Sequence, residues 1–376
     1  MRRLLFCLIA GLLLVAPAAA QPAKGTFLRV LNFWPLPVGI SIDGQTALET
    51  LVADDGSAYL PLAAGTHTIT LSDPADDTLL HAPLEISAAD GHNYLLALGG
   101  TPENPAHAFV LDETSALRSA NLQRGSVFLL LNVSDTPLTV FFGSLNITLA
   151  AAGYAAGDAP AGSSVLSVFA GDAALLQAAF TGVPNAYSLL ALAADAENGY
   201  RLLTYHYSSL NAAEFLAGFG IGGAQGVDLA LAAFENAGLL DELAGAEPLS
   251  VFVPVNAAVD AVPEETLDAW LETRIFLEAV MAYHIVPGDH SLLAVRQQLQ
   301  RDAQPVAWAT LQGAALAFGL LDDSLSVGSG TGVQARLLGV PYRVRNGMIY
   351  LIDRLLTPPA LPQPTPTAVT TPLPAP

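Results

Sequence analysis

The strongest constraint on the fold is an internal repetition. Phe27-Leu28-Arg29-Val30-Leu31-Asn32 is answered by Val127-Phe128-Leu129-Leu130-Leu131-Asn132. The run Val38-Gly39-Ile40-Ser41-Ile42 is answered at the same offset by Leu138-Thr139-Val140-Phe141-Phe142. Gly65 and its strand His67–Leu71 correspond to Gly162 and Val165–Phe169, and Tyr94–Leu98 corresponds to Tyr187–Leu192. Short runs of this kind, ended by turn formers such as Asp43-Gly44, read as strands. Turn signals spaced about 8–12 residues apart predict an antiparallel sandwich. Two copies of one β unit, residues 26–112 and 126–208, are the economical reading.

The ends of the chain point outside the cell. Met1-Arg2-Arg3, the apolar run Leu4–Val15 and the small residues Ala18-Ala19-Ala20 read as a secretory signal over residues 1–20. The apolar run is short for a bilayer span, so an uncleaved anchor is the weaker reading. The one cysteine, Cys7, lies inside this signal. The mature chain is therefore expected to have no disulfide and no thiolate chemistry, and must rely on core burial. A composition that is 52% hydrophobic and 13% charged allows this.

Removing Arg2 and Arg3 from 14 basic residues leaves 12 against 34 acidic ones, a net charge of about −22. Such a surface repels nucleic acid and anionic lipid. Residues 360–376 form a Pro/Thr/Ala tail with no apolar period, expected to be extended and disordered. No hydrophobic anchor follows it. Read as complete, the chain is secreted, extracellular or held at the cell envelope by contacts, with no transmembrane segment after signal cleavage.

Residues 209–226 read as a linker, in which Asn211–Phe219 reads as a short helix or plain linker and Gly218, Gly220, Gly222, Gly223 and Gly226 form a glycine-rich hinge. Gly218–Gly223 contains a formal GxGxxG, but no strand or βαβ unit surrounds it, so a hinge is preferred to a nucleotide site. From Val227 the pattern becomes mixed. Asp228 is a candidate N-cap for a helix over Leu229–Leu243. Glu264–Tyr283 reads as one or two helices, and Leu292–Gln300 as a short one. Strands follow at 306–311, 315–318, 325–327, 334–338, 342–344 and 348–352, with Asn346-Gly347 a tight-turn signal.

Three stretches of this last part stand in a telling order. They are Leu249-Ser250-Val251-Phe252-Val253-Pro254-Val255-Asn256, then Tyr283-His284-Ile285-Val286-Pro287-Gly288, then Asn346 to Leu356. Together with Ala237–Leu243 and Thr310-Leu311-Gln312-Gly313, residues 227–359 resemble the fasciclin (FAS1) domain. The resemblance implies an α+β fold, a β-wedge with packed helices, and adhesion to extracellular proteins or glycans. Departures are Val255 for the usual threonine, Val259 for an aromatic and Tyr350 for a histidine. The N-terminal half resembles DUF4397 through Leu28–Asn32, Val38–Gly44, Ala64–His67 and Tyr94–Leu98. That implies an extracytoplasmic β-sandwich and no activity.

The expected fold is thus multi-domain, a duplicated all-β sandwich followed by an α+β domain. Tyr283, His284 and Asn256 are the candidate ligand contacts. The resemblance implies receptor contacts near the Tyr-His pair. The competing reading for His284 is an imidazole hydrogen-bonded to backbone. For Asn256 it is a loop-fixing side chain. His284 and His290 lack a third and fourth metal partner. Asp54-Asp55, Asp76-Asp77 and Asp322-Asp323 read as solvated turns, and Asn132 and Asn146 open formal glycosylation sequons. No catalytic, cofactor or metal site is expected. The first reading is a non-enzymatic adhesion protein with an extracellular protein or glycan ligand. The second is a self-associating structural component of the envelope or matrix. The third is a hydrolase whose site a linear scan misses.

Overall fold

The computed structural model describes residues 25–359, apart from 102–103, 118–126, 160–162, 184–185, 196–198, 209, 220–221, 303–305, 322–323 and 330–333. The expected signal and tail, and the Asp322-Asp323 pair, lie outside the described residues.

The first repeat contains β1 (Thr26–Asn32), β2 (Val38–Ile42), β3 (Gln45–Leu51), β4 (Asp55–Gly56), β5 (Leu60–Leu62), β6 (Gly65–Ser72), β7 (Leu84–Ala88), β8 (Asn93–Thr101) and β9 (Asn104–Asp112), then α1 (Glu113–Ala116). Its outer sheet is β3-β2-β6-β7; its inner sheet is β4-β1-β8-β9, with β5 also on β1. The second repeat contains β10 (Val127–Val133), β11 (Leu138–Phe142), β12 (Leu145–Leu149), β13 (Tyr154–Asp158), β14 (Ser163–Ala170), β15 (Ala173–Thr181), β16 (Tyr187–Asp195) and β17 (Gly199–Tyr207). It repeats the plan, with β12-β11-β14-β15 outside and β13-β10-β16-β17 inside. The antiparallel expectation fails once in each copy, where β1 pairs with β8 and β10 with β16 in parallel. The chain between them crosses to the other layer and back, as parallel pairing requires.

The two inner sheets lie face to face, giving four layers. Leu28 and Val30 of β1 pack on the outer sheet of the first repeat. Leu31 packs with Leu129, Leu131 and Leu189 of the second repeat. Leu130 and Leu190 then face Val140 and Leu166 in the last layer. Covering on both faces explains why β10, and β1 apart from Arg29, read as nearly continuous apolar runs rather than alternating ones. The repetition extends to hydrogen bonds. Asn32 donates to the carbonyls of Leu36 and Leu51, and Asn132 to those of Thr136 and Ala150. Asn132 is fully buried, which removes it as a glycosylation site, whereas Asn146 is exposed.

The third part contains α2 (Ala212–Ala217), α3 (Asp228–Ala237), α4 (Leu240–Ala244), β18 (Leu249–Pro254), α5 (Asn256–Asp260), α6 (Glu264–Glu272), α7 (Arg274–Ala282), β19 (Ile285–Pro287), α8 (Leu292–Asp302), β20 (Val306–Ala309), β21 (Ala315–Leu321), β22 (Ser324–Gly328), β23 (Gln334–Val344) and β24 (Gly347–Ile352). β18 and β24 pair in parallel from Leu249↔Gly347 to Pro254↔Ile352. Both are buried along their whole length. The helix expected over Leu229–Leu243 is broken by Gly238, which ends α3 at φ 79°. Asp228 is not its cap. The Asn256 side chain takes that role, accepting from Leu229 N–H at 3.1 Å. The two strands expected at 334–338 and 342–344 are one, β23, with an irregularity between Leu338 and Tyr342.

The glycine-rich segment differs from the hinge expected of it. Asn211 and Glu214 form a reciprocal capping box at the start of α2. Phe215, Leu216 and Phe219 are buried in the core of the third part. Asn256 N–H donates to the Gly226 carbonyl at 2.7 Å. Just before it, β17 pairs in parallel with β23 through His206↔Tyr342 and Tyr207↔Arg343. The inner sheet of the second repeat thereby runs on into the third part, and 11 described strands share one hydrogen-bonded sheet.

The tight turn of the last hairpin is Arg345-Asn346, and Gly347 is already in β24, opposite Val344. Gly347 has φ 136°, and a Cβ there would lie 1.8 Å from the Leu249 carbonyl oxygen. Gly347→Ala is expected to cost at least about 3 kcal/mol in chemical denaturation. Gly44→Ala, with φ 77° and open space around it, should cost only about 1 kcal/mol. Equal losses would contradict the close strand approach.

Candidate functional site

The residues singled out from the sequence are drawn into the fold. Tyr283 is fully buried and its hydroxyl donates to the Ala315 carbonyl at 2.9 Å. His284 is fully buried. Its Nδ1 meets the Val280 carbonyl at 2.8 Å, and its Nε2 accepts from Leu356 N–H at 3.0 Å. Burial lowers its pKa to about 4, with the Val280 bond opposing. Asn256 spends its oxygen on Leu229 N–H and its amide on the Gly223 carbonyl. The side-chain polar groups of all three are spent on hydrogen bonds inside the fold. Among the described residues no three His, Cys, Asp or Glu side chains group as metal ligands.

What the structure does assemble is a buried polar cluster between the two repeats. Alternation along β1 turns Arg29 toward the second repeat, on the side of Leu31. Arg29 is fully buried. Its Nη2 donates to Glu113, at the start of α1, and to the Tyr187 hydroxyl. Its guanidinium lies 3.4 Å from the ring centroid of Tyr207. Tyr59 donates to the other Glu113 oxygen at 3.0 Å. Burial would lower the Arg29 pKa, but Glu113 and the tyrosines outweigh it and raise it. Its Nε and Nη1 find no hydrogen-bond partner among the described residues, so the tyrosine ring face is their compensation.

A second polar junction sits beside it, around Asp54–Gly56 of the first repeat. Arg201 pairs with Asp54 at 2.8 Å, and the Tyr205 hydroxyl donates to the Asp54 carbonyl at 2.8 Å. Arg343 of β23 donates to the Gly56 carbonyl at 3.0 Å and pairs with Asp289 at 2.5 Å. Gln297 of α8 reaches the Ala53 carbonyl at 3.4 Å. Asp54-Asp55 is therefore a junction between all three parts, not the solvated turn expected. Burial raises the pKa of Asp55, opposed by Ser291 and Arg343.

This junction floors a cavity of about 390 Å³. Its walls are Leu203 and Tyr205 of the second repeat and Leu325, Leu338, Val340 and Leu351 of the third part. Arg343, Arg296, His206 and Asp55 supply its polar groups. His206 stacks on Tyr342 at 5.2 Å and bonds the Ser188 hydroxyl at 3.0 Å. Burial lowers its pKa to about 4. The arrangement can hold an amphipathic group. Sequence reasoning missed both features. One signal was available, namely a charge at Arg29 where the second repeat has Leu129.

Comparison with known proteins bears on this geometry. Residues 226–358 match the family model of the Fasciclin domain. Residues 26–123 match DUF4397, a domain of unknown function. Among individual relatives, "Protein sll1483" of Synechocystis sp. is 31% identical over 131 residues, 34% of this chain and 66% of that protein. The "Cell surface glycolipoprotein MPB83" of Mycobacterium bovis is 33% identical over 122 residues, 32% of this chain and 49% of that protein. The chain thus spans about half to two thirds of these relatives' length. A solved FAS1 domain pair from the insect cell adhesion molecule Fasciclin I aligns over 51% of this chain and 62% of that one, with a TM-score of 0.31 and 13% identity.

Two measurements probe the site. Glu113→Gln leaves a buried guanidinium without its counterion and should cost about 3–5 kcal/mol in urea denaturation. Arg29→Met/Glu113→Gln should recover part of that loss; strictly additive losses would deny the coupling. The second measurement is pH. The folded pKa values of His206 and His284, about 4, lie below the ordinary 6.5. Below pH 6.5 the unfolded chain binds protons that the folded chain refuses. Stability is full above that pH, falls as pH drops through the window, and stops falling on this account below about 4. Each histidine should contribute a loss of about 2 kcal/mol between pH 7 and pH 5. His206→Gln should remove about half of the combined drop, and an unchanged slope would exclude His206 as a source.

Proposed function

We propose that this chain is an extracellular, non-enzymatic binding protein that associates with a cell surface or matrix. We further propose that the three-part cleft is where its partner is held. The cleft carries the reading, because apolar walls meet a few oriented charges at a place no single part could form. Pockets with this composition hold ligands by apolar burial and use their polar groups for orientation. The fasciclin domain is consistent with it, as is the cell-surface designation of the mycobacterial relative. No helix among the described residues is long and apolar enough to cross a membrane. Leu203, Leu338 and Val340 favour an apolar side chain of a protein partner, flanked by a polar group for Arg343 or Arg296, over a bare glycan.

The test uses the mature full chain against intact cells of its own source and immobilised matrix proteins and glycans. Saturable binding is expected to survive moderate salt. Val340→Arg, which puts a charge into the half-buried wall, should weaken it by about tenfold or more with little change in thermal midpoint. Binding that is unaffected by Val340→Arg would move the site off the cleft. No binding to any of these surfaces would remove the adhesion reading itself.

A further inference from the structure

The outer sheet of the second repeat carries no charge in its strands. Its strands β11, β12, β14 and β15 contain no Asp, Glu, Lys, Arg or His. The chain as a whole has 34 acidic residues and a net charge of −20. The solvent face of that sheet sets Phe141, Val165, Phe169 and Ala179 among uncharged polar side chains, with Ser167 opposite Phe141 and Gln177 opposite Ser167. Phe141 is 44% exposed and Val165 50%. Ala179 pairs with Val165 across β14 and β15. Phe169 meets Phe141 edge to face at 5.6 Å.

The first repeat supplies an internal comparison. By register, the positions of Phe141, Val165, Phe169 and Ala179 are held there by Ser41, Thr68, Ser72 and Glu85. Its outer strands also carry Glu49 and His67. The inward residues of the two sheets are alike: Ile40, Ile69 and Leu71 in one, Val140, Leu166 and Val168 in the other. The demands of the core therefore do not explain why one outward face has Phe141, Val165, Phe169 and Ala179 where the other has Ser41, Thr68, Ser72 and Glu85. Exposed apolar patches of this sort mark interaction sites.

We propose that this face is a self-association surface, which meets the same face of a second copy across a two-fold axis. Charge selects the partner. Two copies of so acidic a chain repel where their charged surfaces approach, and an uncharged sheet lets them meet at the least electrostatic cost. A strongly charged partner would find no countercharge on it. Inside the chain, two copies of this unit already pack sheet on sheet through Leu31, Ala97, Leu131 and Ala191. A two-fold contact of this kind closes on itself. It uses none of the cleft residues, so it holds or fails independently of what the cleft binds.

The test is sedimentation velocity of the mature chain over a rising concentration series. The mass is expected to double with concentration. Val165→Lys should move the midpoint up by about tenfold or more, and Thr68→Lys at the matching position of the first repeat should not. Cys7 is the sole cysteine and lies in the expected signal, so an introduced thiol has no competitor. Val165→Cys should give a cross-linked dimer with a short bis-maleimide, and Thr68→Cys should not; this readout also covers a Val165→Lys chain that misfolds. A monomer at every concentration with no Val165→Cys cross-link overturns the proposal. So does a dimer that Val165→Lys leaves intact. Monomeric protein that instead binds phosphatidylcholine vesicles or a neutral polysaccharide through Val165 also overturns it, and reassigns the face.

Discussion

Arg29 holds the molecule together at a point where a charge is least at home. It lies in the middle of β1, between two sheets, fully buried. Its carboxylate partner, Glu113, comes from the helix that closes the first repeat, while Tyr187 and Tyr207 come from the second. A buried ion pair is weak evidence of stability, because desolvation offsets the attraction, but removing one partner is severe. The consequence is specificity of arrangement. The four layers can stack in the register that brings Glu113 and the tyrosines to Arg29; a slipped register leaves an unpaired guanidinium in an apolar interface.

From Tyr207 the same constraint passes into the third part. Tyr207 covers Arg29 with its ring and pairs through its backbone with Arg343, which in turn clasps Gly56 of the first repeat. One residue of β17, Tyr207, thus links all three parts. The cleft is a by-product of this geometry, since β17 and β23 meet at their ends and splay above the Asp54–Gly56 loop. Function and architecture cannot be assigned to separate modules when the candidate surface exists only where they join.

Much of this was legible in the sequence and some of it was not, for reasons that can be named. Strands such as Val127–Val133 and Leu249–Pro254 declare themselves because burial on both faces leaves nearly every position apolar, Asn132 and Ser250 apart. The two copies are visible because Asn32 and Asn132 occupy the same bracket of carbonyls. The glycine-rich segment misled because composition reports what a backbone can do, whereas Phe215 and Phe219 decide what it does. Asn346 was read as a turn former, yet its amide is spent on the carbonyls of Leu243 and Gly245 and its oxygen on Ala212 N–H. Tyr283 and His284 draw the eye because they are polar in an apolar run, and that same contrast is what a buried, satisfied pair looks like. The cleft needs Asp55, Leu203 and Val340 together, and no local pattern brings such distant residues to one place.

The face-to-face stacking of the inner sheets has a consequence for how the chain comes into being. Translation delivers the first repeat long before the second. During that interval Leu31, Leu95 and Ala97 have nothing to pack against, and Arg29 has neither tyrosine of the second repeat beside it. The early product is therefore a half-built wall with a sticky side, prone to bind stray strands or holding factors. Only the arrival of Tyr187 and Tyr207 closes it. Native packing waits on the later half of the chain, and any cut or pause between the copies strands the first in an aggregation-prone form.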